Sequence, residues 1–173
     1  MGSDKLFLEY QGKTLLQRAV DLMLALPVYE KMIITMPERS ERIVLPSDVH
    51  VIKNTDPEAG QSHSVRLGTE AAGGTHYLFL NADQPLLTAA DIEVIFTLAG
   101  ENRDKIIFPV IKNKPCSPAL FPASFRAELL ELTGDTGGRV IRDAYPGSCL
   151  AFIPECGEHF KDIDNREDYD GLF

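Results

Sequence analysis

The sequence predicts an α/β fold in which a mostly parallel β-sheet carries helices on both faces. Two observations support this class. Short apolar segments alternate with amphipathic segments along the chain, and no repeat or low-complexity linker divides it. Strands that alternate with helices form βαβ units, and such units build parallel sheets covered on both sides. We therefore expect a single domain over residues 1–173.

The elements are predicted in chain order from their apolar spacing. Amphipathic helices are expected over residues 15–26, 64–72, 89–99 and 124–132. Short apolar runs predict strands over residues 31–36, 49–53, 75–80, 105–111 and 149–154. Thr88, three residues before Asp91, is typical of a capped helix start, and Ser62 or Ser64 can cap the helix before it. In such sheets ligands bind beyond the carboxyl ends of the strands.

Composition and charge argue against two classes of partner, nucleic acids and membranes. The formal net charge of −9 argues against a nucleic-acid partner, which needs a basic face, but not against a nucleotide. No apolar run approaches the length of a membrane span, so we expect no membrane partner. The three cysteines are odd in number and contain no CxxC pair, which favours a reducing, cytoplasmic setting.

Asp83 is the first candidate for chemistry, because it follows the predicted strand over residues 75–80. A carboxylate at the end of a strand is well placed to hold Mg²⁺ against the phosphates of a ligand. Asn81, Asp83 and Pro85 are also turn formers, so a plain polar turn remains an alternative.

A second candidate stretch follows the strand over residues 49–53. Gly60, Gln61, Ser62 and Ser64 supply a flexible turn, an amide and two hydroxyls at a helix N-terminus. These groups suit a base edge or an anion. The alternative is simple helix capping.

Two further stretches carry charges in suggestive patterns. Residues 133–140 hold three glycines with Asp135 and Arg139, but the stretch lacks the GK[ST] ending of a Walker loop. A helix end followed by a turn and a new helix explains it equally well. Near the end of the chain, Asp162 and Asp164 alternate with Ile163. Both carboxylates can therefore point the same way from an extended segment and supply a second Mg²⁺ ligand.

Five stretches together resemble a known family. They are MGSDKLFL, GQSHSVRLG, LNADQPLL, LTGDTGGRVI and DIDNREDYDGL, in this order. The sequence is similar to the molybdenum cofactor cytidylyltransferases, the MocA-like branch of the MobA-like nucleotidyltransferases. The resemblance implies a Rossmann-like nucleotidyltransferase fold and a Mg²⁺-dependent reaction. CMP would pass from CTP to a molybdopterin-type phosphate acceptor, with pyrophosphate released. A molybdoenzyme maturation factor would be a further partner.

The resemblance also implies roles for the candidate residues. Lys5 would offset charge on the triphosphate, and Asp83 would hold Mg²⁺ together with Asp164 or Asp162. The remaining candidates would form the nucleotide or pterin pocket (Gly60, Gln61, Ser62 and Ser64) and the acceptor side (Asp135 and Arg139).

Other expectations come from departures from the family pattern. The family pattern opens with a strand and a glycine-rich loop, which we expect before Met1. An upstream start, a natural inactive chain or a segment from a second copy would each explain why these two features are absent from the 173 residues. Cys116-Ser117 and Asn165-Arg166 replace the usual pairs, so acceptor identity stays open. The alternatives are a nucleotidyltransferase that uses GTP or a small phosphate acceptor, and an inactive nucleotide- or pterin-binding module.

Overall fold

The computed structural model describes residues 4–173, so the first three residues of the MGSDKLFL stretch lie outside the described residues. The helices are α1 (Leu15–Ala25), α2 (Pro37–Ser40), α3 (Gln61–Ala71), α4 (Ala89–Glu101), α5 (Arg126–Leu130), α6 (Arg139–Ala144) and α7 (Arg166–Asp170). The strands are β1 (Glu9–Tyr10), β2 (Lys13–Thr14), β3 (Met32–Thr35), β4 (His50–Lys53), β5 (His76–Phe79), β6 (Ile106–Ile111), β7 (Lys114–Pro115), β8 (Ala119–Pro122) and β9 (Cys149–Phe152). No helix over these residues is both long and apolar enough to cross a membrane.

The fold is mixed α/β, and the prediction of a mostly parallel sheet is wrong. In the five-stranded sheet, β8 lies between β5 and β6 and runs antiparallel to both. β7 is also antiparallel to β6, and the one parallel pairing of this sheet within residues 4–173 joins β6 to β9.

The chain reversal after β6 explains the antiparallel arrangement. Lys112 and Asn113 both have positive φ, so a tight turn leads directly into β7 and then β8. A short turn can join only antiparallel strands, because a parallel connection needs a crossover of a dozen or more residues. β8 is four residues long and ends in Pro122, and it was not among the predicted strands.

A second, smaller sheet consists of β3 and β4, which pair in parallel from Met32 opposite His50 to Thr35 opposite Lys53. Within residues 4–173 no ladder joins this pair to the five-stranded sheet. The hairpin of β1 and β2 is separate again. The strand expected before Met1 stays a prediction.

Helices cover both faces of the larger sheet, as expected. Side chains alternate along each strand, so Ile106 and Phe108 enter one core cluster and Ile107 enters the other. The first cluster is completed by Val65 of α3, Leu129 of α5 and Ile141 of α6. The second is completed by residues of α1 and α4, among them Leu22, Ile92 and Ile95. The capping box predicted at the start of α4, Thr88 with Asp91, is confirmed.

Candidate active site

Lys5 lies between two carboxylates from distant parts of the chain. Its Nζ atom is 2.8 Å from Oδ2 of Asp83 and 3.3 Å from Oδ1 of Asp164. The Asp83 side chain is 20% exposed and that of Asp164 is 72% exposed. The ammonium therefore has one partly buried partner and one partner in solvent.

The position of Lys5 is fixed by the turn around it. Residues Lys5–Phe7 form a short 3₁₀ helix, and the Asp4 side chain accepts a hydrogen bond from the Leu6 amide. Arg39 of α2 donates to Asp4, and the Arg42 guanidinium lies 3.4 Å from the centre of the Phe7 ring. These contacts attach the Lys5 segment to the region of α2.

Backbone contacts bring the carboxylates together. The Ile163 amide donates to the Asp83 carbonyl at 2.9 Å, and the Ile163 side chain is fully buried. The buried Gln84 amide donates to the carbonyls of Ser117 and Phe160, which ties the loop after β5 to the same segments. As the alternation predicts, Asp162 and Asp164 both lie near Asp83 while Ile163 enters the core.

The pKa values of both Lys5 and Asp162 are raised in this cluster, which favours the charged form of the lysine and the neutral form of the aspartic acid. Burial, followed by repulsion from Asp83 and Asp164, raises the pKa of Asp162 to about 6, and Lys5 and Asn81 oppose this. The Oδ1 atom of Asp162 is buried without a hydrogen-bond partner among residues 4–173. Burial disfavours the charge of Lys5, but hydrogen bonds and attraction to Asp83 and Asp164 outweigh it, so the pKa of Lys5 is raised.

The donor set of the cluster suits a hard cation. Mg²⁺ prefers oxygen ligands and is usually held by one or two carboxylates plus substrate phosphates. Among the described residues no three His, Cys, Asp or Glu side chains converge on a metal position. Asp83 with Asp162 or Asp164 could therefore hold such a cation together with substrate phosphates, and the orphaned Oδ1 of Asp162 is one candidate oxygen.

A cavity of about 440 Å³ opens beside the cluster. Its apolar wall comes from α3 and the sheet, and its polar rim comes from the loop before α6 and from α6 itself. The residues that line it include Gln61, Val65, Phe79, Asn81, Ser117, Phe121, Asp135, Arg139 and Arg142. Asn81 connects the two sites, since it lines the cavity and also favours the charged form of Asp162.

Two glycines allow the cavity walls to approach each other. Gly60 has φ +83°, and a Cβ there would lie 2.6 Å from the backbone of Gly134. A Cβ on Gly138 would lie 2.3 Å from the buried Phe121 ring. The loop over residues 133–138 therefore packs directly on the start of α3 and on the sheet.

The start of α3 corrects the capping prediction. The helix begins at Gln61, three residues earlier than predicted, and Gly60 is its N-cap without a side-chain cap. The free amides are satisfied from the other loop instead. The Asp135 carboxylate accepts from the Gln61 amide at 3.3 Å, and the Gly134 carbonyl accepts from the Ser62 amide at 3.3 Å.

Some of the other predicted pocket residues line the cavity and some do not. Gln61, Asp135 and Arg139 line the cavity. Ser62 is fully buried, and the half-buried Ser64 accepts a hydrogen bond from the side-chain amide of Asn54 at 3.0 Å; neither serine lines the cavity. Arg139 is 81% exposed and pairs with Asp143 at 3.5 Å.

Several cavity residues were not predicted from the sequence, among them Asn81 and Arg142. Asn81 follows β5 as Asp83 does, so its position after the strand was a usable signal. Arg142 lies one turn beyond the glycine stretch on α6, and no pattern in the sequence distinguishes it from a surface arginine.

Comparisons with solved structures agree on the fold. A manganese complex of Rv0371c from Mycobacterium tuberculosis is 21% identical, with a TM-score of 0.74, covering 97% of this chain and 90% of that one. A nucleotidyl transferase from Methanothermobacter thermautotrophicus is 21% identical, with a TM-score of 0.78, covering 97% and 82%. A cytidylyltransferase from Leptospira borgpetersenii is 15% identical, with a TM-score of 0.75, covering 97% and 77%.

The family is established by sequence. No curated protein matches the chain significantly. The model of the MobA-like NTP transferase domain matches residues 1–149, which is most of the 173-residue chain. The chain belongs to the MobA-like NTP transferase family and is a nucleotidyltransferase.

Proposed function

We propose that this nucleotidyltransferase moves CMP from CTP to a phosphate acceptor of the molybdopterin type and releases pyrophosphate. The observation that carries the proposal is the Lys5 ammonium held between Asp83 and Asp164, beside a cavity large enough for a second substrate. The five stretches that resemble the MocA-like branch support cytidine and molybdopterin over other partners. A single domain over residues 1–173 is part of the same proposal.

The reaction joins the two sites. An oxygen of the acceptor phosphate forms a bond to the α-phosphorus of CTP, while the bond from that phosphorus to the oxygen of the β-phosphate breaks. Pyrophosphate leaves with that oxygen and its electron pair. Such chemistry depends mainly on positioning the reactants and on neutralising charge.

Each cluster residue has a role in this proposal. Lys5 contacts the triphosphate and offsets the charge that develops on the leaving pyrophosphate. Asp83, with Asp164 or Asp162, would hold Mg²⁺, which neutralises phosphate charge when bound. Gln61 and Asn81 present amides to the acceptor in the cavity, and Asp135 keeps the start of α3 against the loop before α6.

Pyrophosphate release tests the proposal. The protein is incubated with Mg²⁺, molybdopterin and each of CTP, GTP, ATP and UTP in turn, and pyrophosphate is measured. We expect release with CTP that depends on molybdopterin and stops when EDTA is added. Release with GTP instead of CTP would overturn the cytidine assignment, and turnover with a different phosphate acceptor would overturn the molybdopterin assignment.

A further inference from the structure

Arg142 lines the cavity and has no anionic partner among the described residues. Its guanidinium makes no hydrogen bond and no ion pair to residues 4–173, although its Nε atom is buried. Other partly buried arginines of the chain differ. Arg18, Arg66 and Arg126 each donate to at least one backbone carbonyl.

The surroundings of Arg142 position its guanidinium but provide no acidic partner for it among the described residues. The guanidinium lies 4.5 Å from the centre of the Phe108 ring, a cation–π contact. Burial lowers the pKa of Arg142, and the nearby acid, Asp143, is exposed and pairs with Arg139. An arginine stays charged at neutral pH in spite of such a shift.

An unsatisfied buried donor costs folding free energy, so its persistence calls for an explanation. The cavity supplies one. An anion in it would pair with the guanidinium charge and accept from those N–H groups of Arg142 that line the cavity, and the planar guanidinium matches phosphate and carboxylate groups. The apolar wall formed by Val65, Phe79 and Phe121 would pack against the rest of the ligand.

We propose that Arg142 binds an anionic group, phosphate or carboxylate, of the acceptor, whose apolar body rests on the cavity wall. This inference rests on the proposed function, because it assigns the cavity to the acceptor and the Lys5 cluster to the nucleotide. Asn81 shows that the two sites are adjacent, because it lines the cavity and lies next to Asp162. An acceptor that contacts Arg142 and Asn81 therefore reaches the reacting phosphates.

The test uses phenyl phosphate and benzoate as probes of an anion on an apolar body. Each is titrated into the full chain with NMR detection of the arginine Nε–H resonances, and CTP with Mg²⁺ is titrated separately by calorimetry. We expect one or both probes to shift the Arg142 resonance and to bind at least about tenfold more weakly to Arg142→Gln. The same substitution should change CTP binding by less than about twofold.

Arg103→Gln is the matched control, because it removes the same charge from an exposed residue outside the cavity. It should leave probe binding unchanged. Arg142→Lys keeps the charge without the fork and should bind the probes with intermediate affinity. The resonance shift in the unmutated protein gives an answer even if the Arg142 variants fold poorly.

The outcomes separate this inference from the proposed function. Equal loss of CTP and probe binding in Arg142→Gln would assign the arginine to the nucleotide and overturn the inference. Absence of probe binding to the unmutated protein up to about 10 mM would also overturn it. Probe binding that depends on Arg142 in a protein that binds no nucleotide would support the anion site and refute the proposed function.

Discussion

Lys5 and Arg142 are both cations that line the proposed substrate sites, but the protein treats them differently. Lys5 has two carboxylate partners, and its pKa is raised because attraction to Asp83 and Asp164 outweighs burial. Arg142 has no such partner within residues 4–173, and burial lowers its pKa. The carboxylates around Lys5 hold it in place before any ligand arrives, whereas Arg142 remains free for one.

The comparison shows two ways to prepare a site for anions. A paired cation is held in position. A metal ion then competes with it for the carboxylates, and the triphosphate competes with the carboxylates for the cation. An unpaired cation costs stability in the free protein, and the ligand recovers that cost on binding. Substitution of Lys5, of Arg142 or of a carboxylate beside Lys5 tests this difference.

Loss of Asp83 should have the largest effect. Asp83→Asn removes the partly buried carboxylate that holds Lys5 and is proposed to hold Mg²⁺, so pyrophosphate release should fall at least about a hundredfold. Release is measured at saturating nucleotide and Mg²⁺, with circular dichroism to check the fold. Asp104→Asn changes an exposed aspartate and serves as the control. Near-normal release in Asp83→Asn would exclude Asp83 from the site.

Loss of the paired cation should destabilise the protein. Lys5→Met keeps the length of the side chain but leaves Asp83, Asp162 and Asp164 facing one another, so the free energy of unfolding should fall by about 1–2 kcal/mol. Urea denaturation in EDTA measures this. Added Mg²⁺ should raise the melting temperature of the variant more than that of the unmutated protein, and equal shifts would refute competition between Lys5 and the metal.

Asp162 should make stability depend on pH. Its pKa is about 6 in the folded protein against an ordinary value of 3.8, so the folded state retains a proton that the unfolded state releases between these values. The stability of the metal-free protein should therefore decrease as the pH rises from about 4 to 6. Asp162→Asn should lack this component. Parallel pH profiles from urea denaturation would show that the carboxyl titrates normally.

Loss of the unpaired cation should have the smallest effect on stability. Arg142→Met keeps an apolar side chain over the Phe108 ring and removes an unsatisfied charge, so the free energy of unfolding should stay within about 1 kcal/mol of the original value and should not decrease. Urea denaturation alongside Lys5→Met makes the comparison direct. A decrease as large as that of Lys5→Met would mean that Arg142 has a structural role.

Structural features that depend on residues close together in the sequence could be predicted from local sequence patterns. The α4 capping box depends on Thr88 and Asp91, which are three residues apart, and the alternation of Asp162, Ile163 and Asp164 depends only on the directions of consecutive side chains along an extended segment. Both were predicted. The Asp135 carboxylate that caps α3 comes from 74 residues along the chain, so nothing near Gln61 could reveal it.

The antiparallel direction of most of the larger sheet and the unpaired state of Arg142 could not be predicted for a similar reason. Strand β8 is short and contains Pro122, and its place between β5 and β6 follows from the turn at Lys112 and Asn113. The lack of a partner for Arg142 is a property of the packed structure, because it depends on where Asp143 and Phe108 lie. An isolated sequence stretch contains neither fact.

The buried Ile163 also protects the register of the acidic segment. A slip of one residue would expose this isoleucine to solvent and turn both neighbouring aspartates into the core, which is costly on both counts. The main-chain bond from Ile163 to Asp83 would be lost as well. The buried Ile163 therefore fixes the positions of the two carboxylates relative to each other. Substitutions at Asp162 or Asp164 can change the charge of the site without moving the backbone.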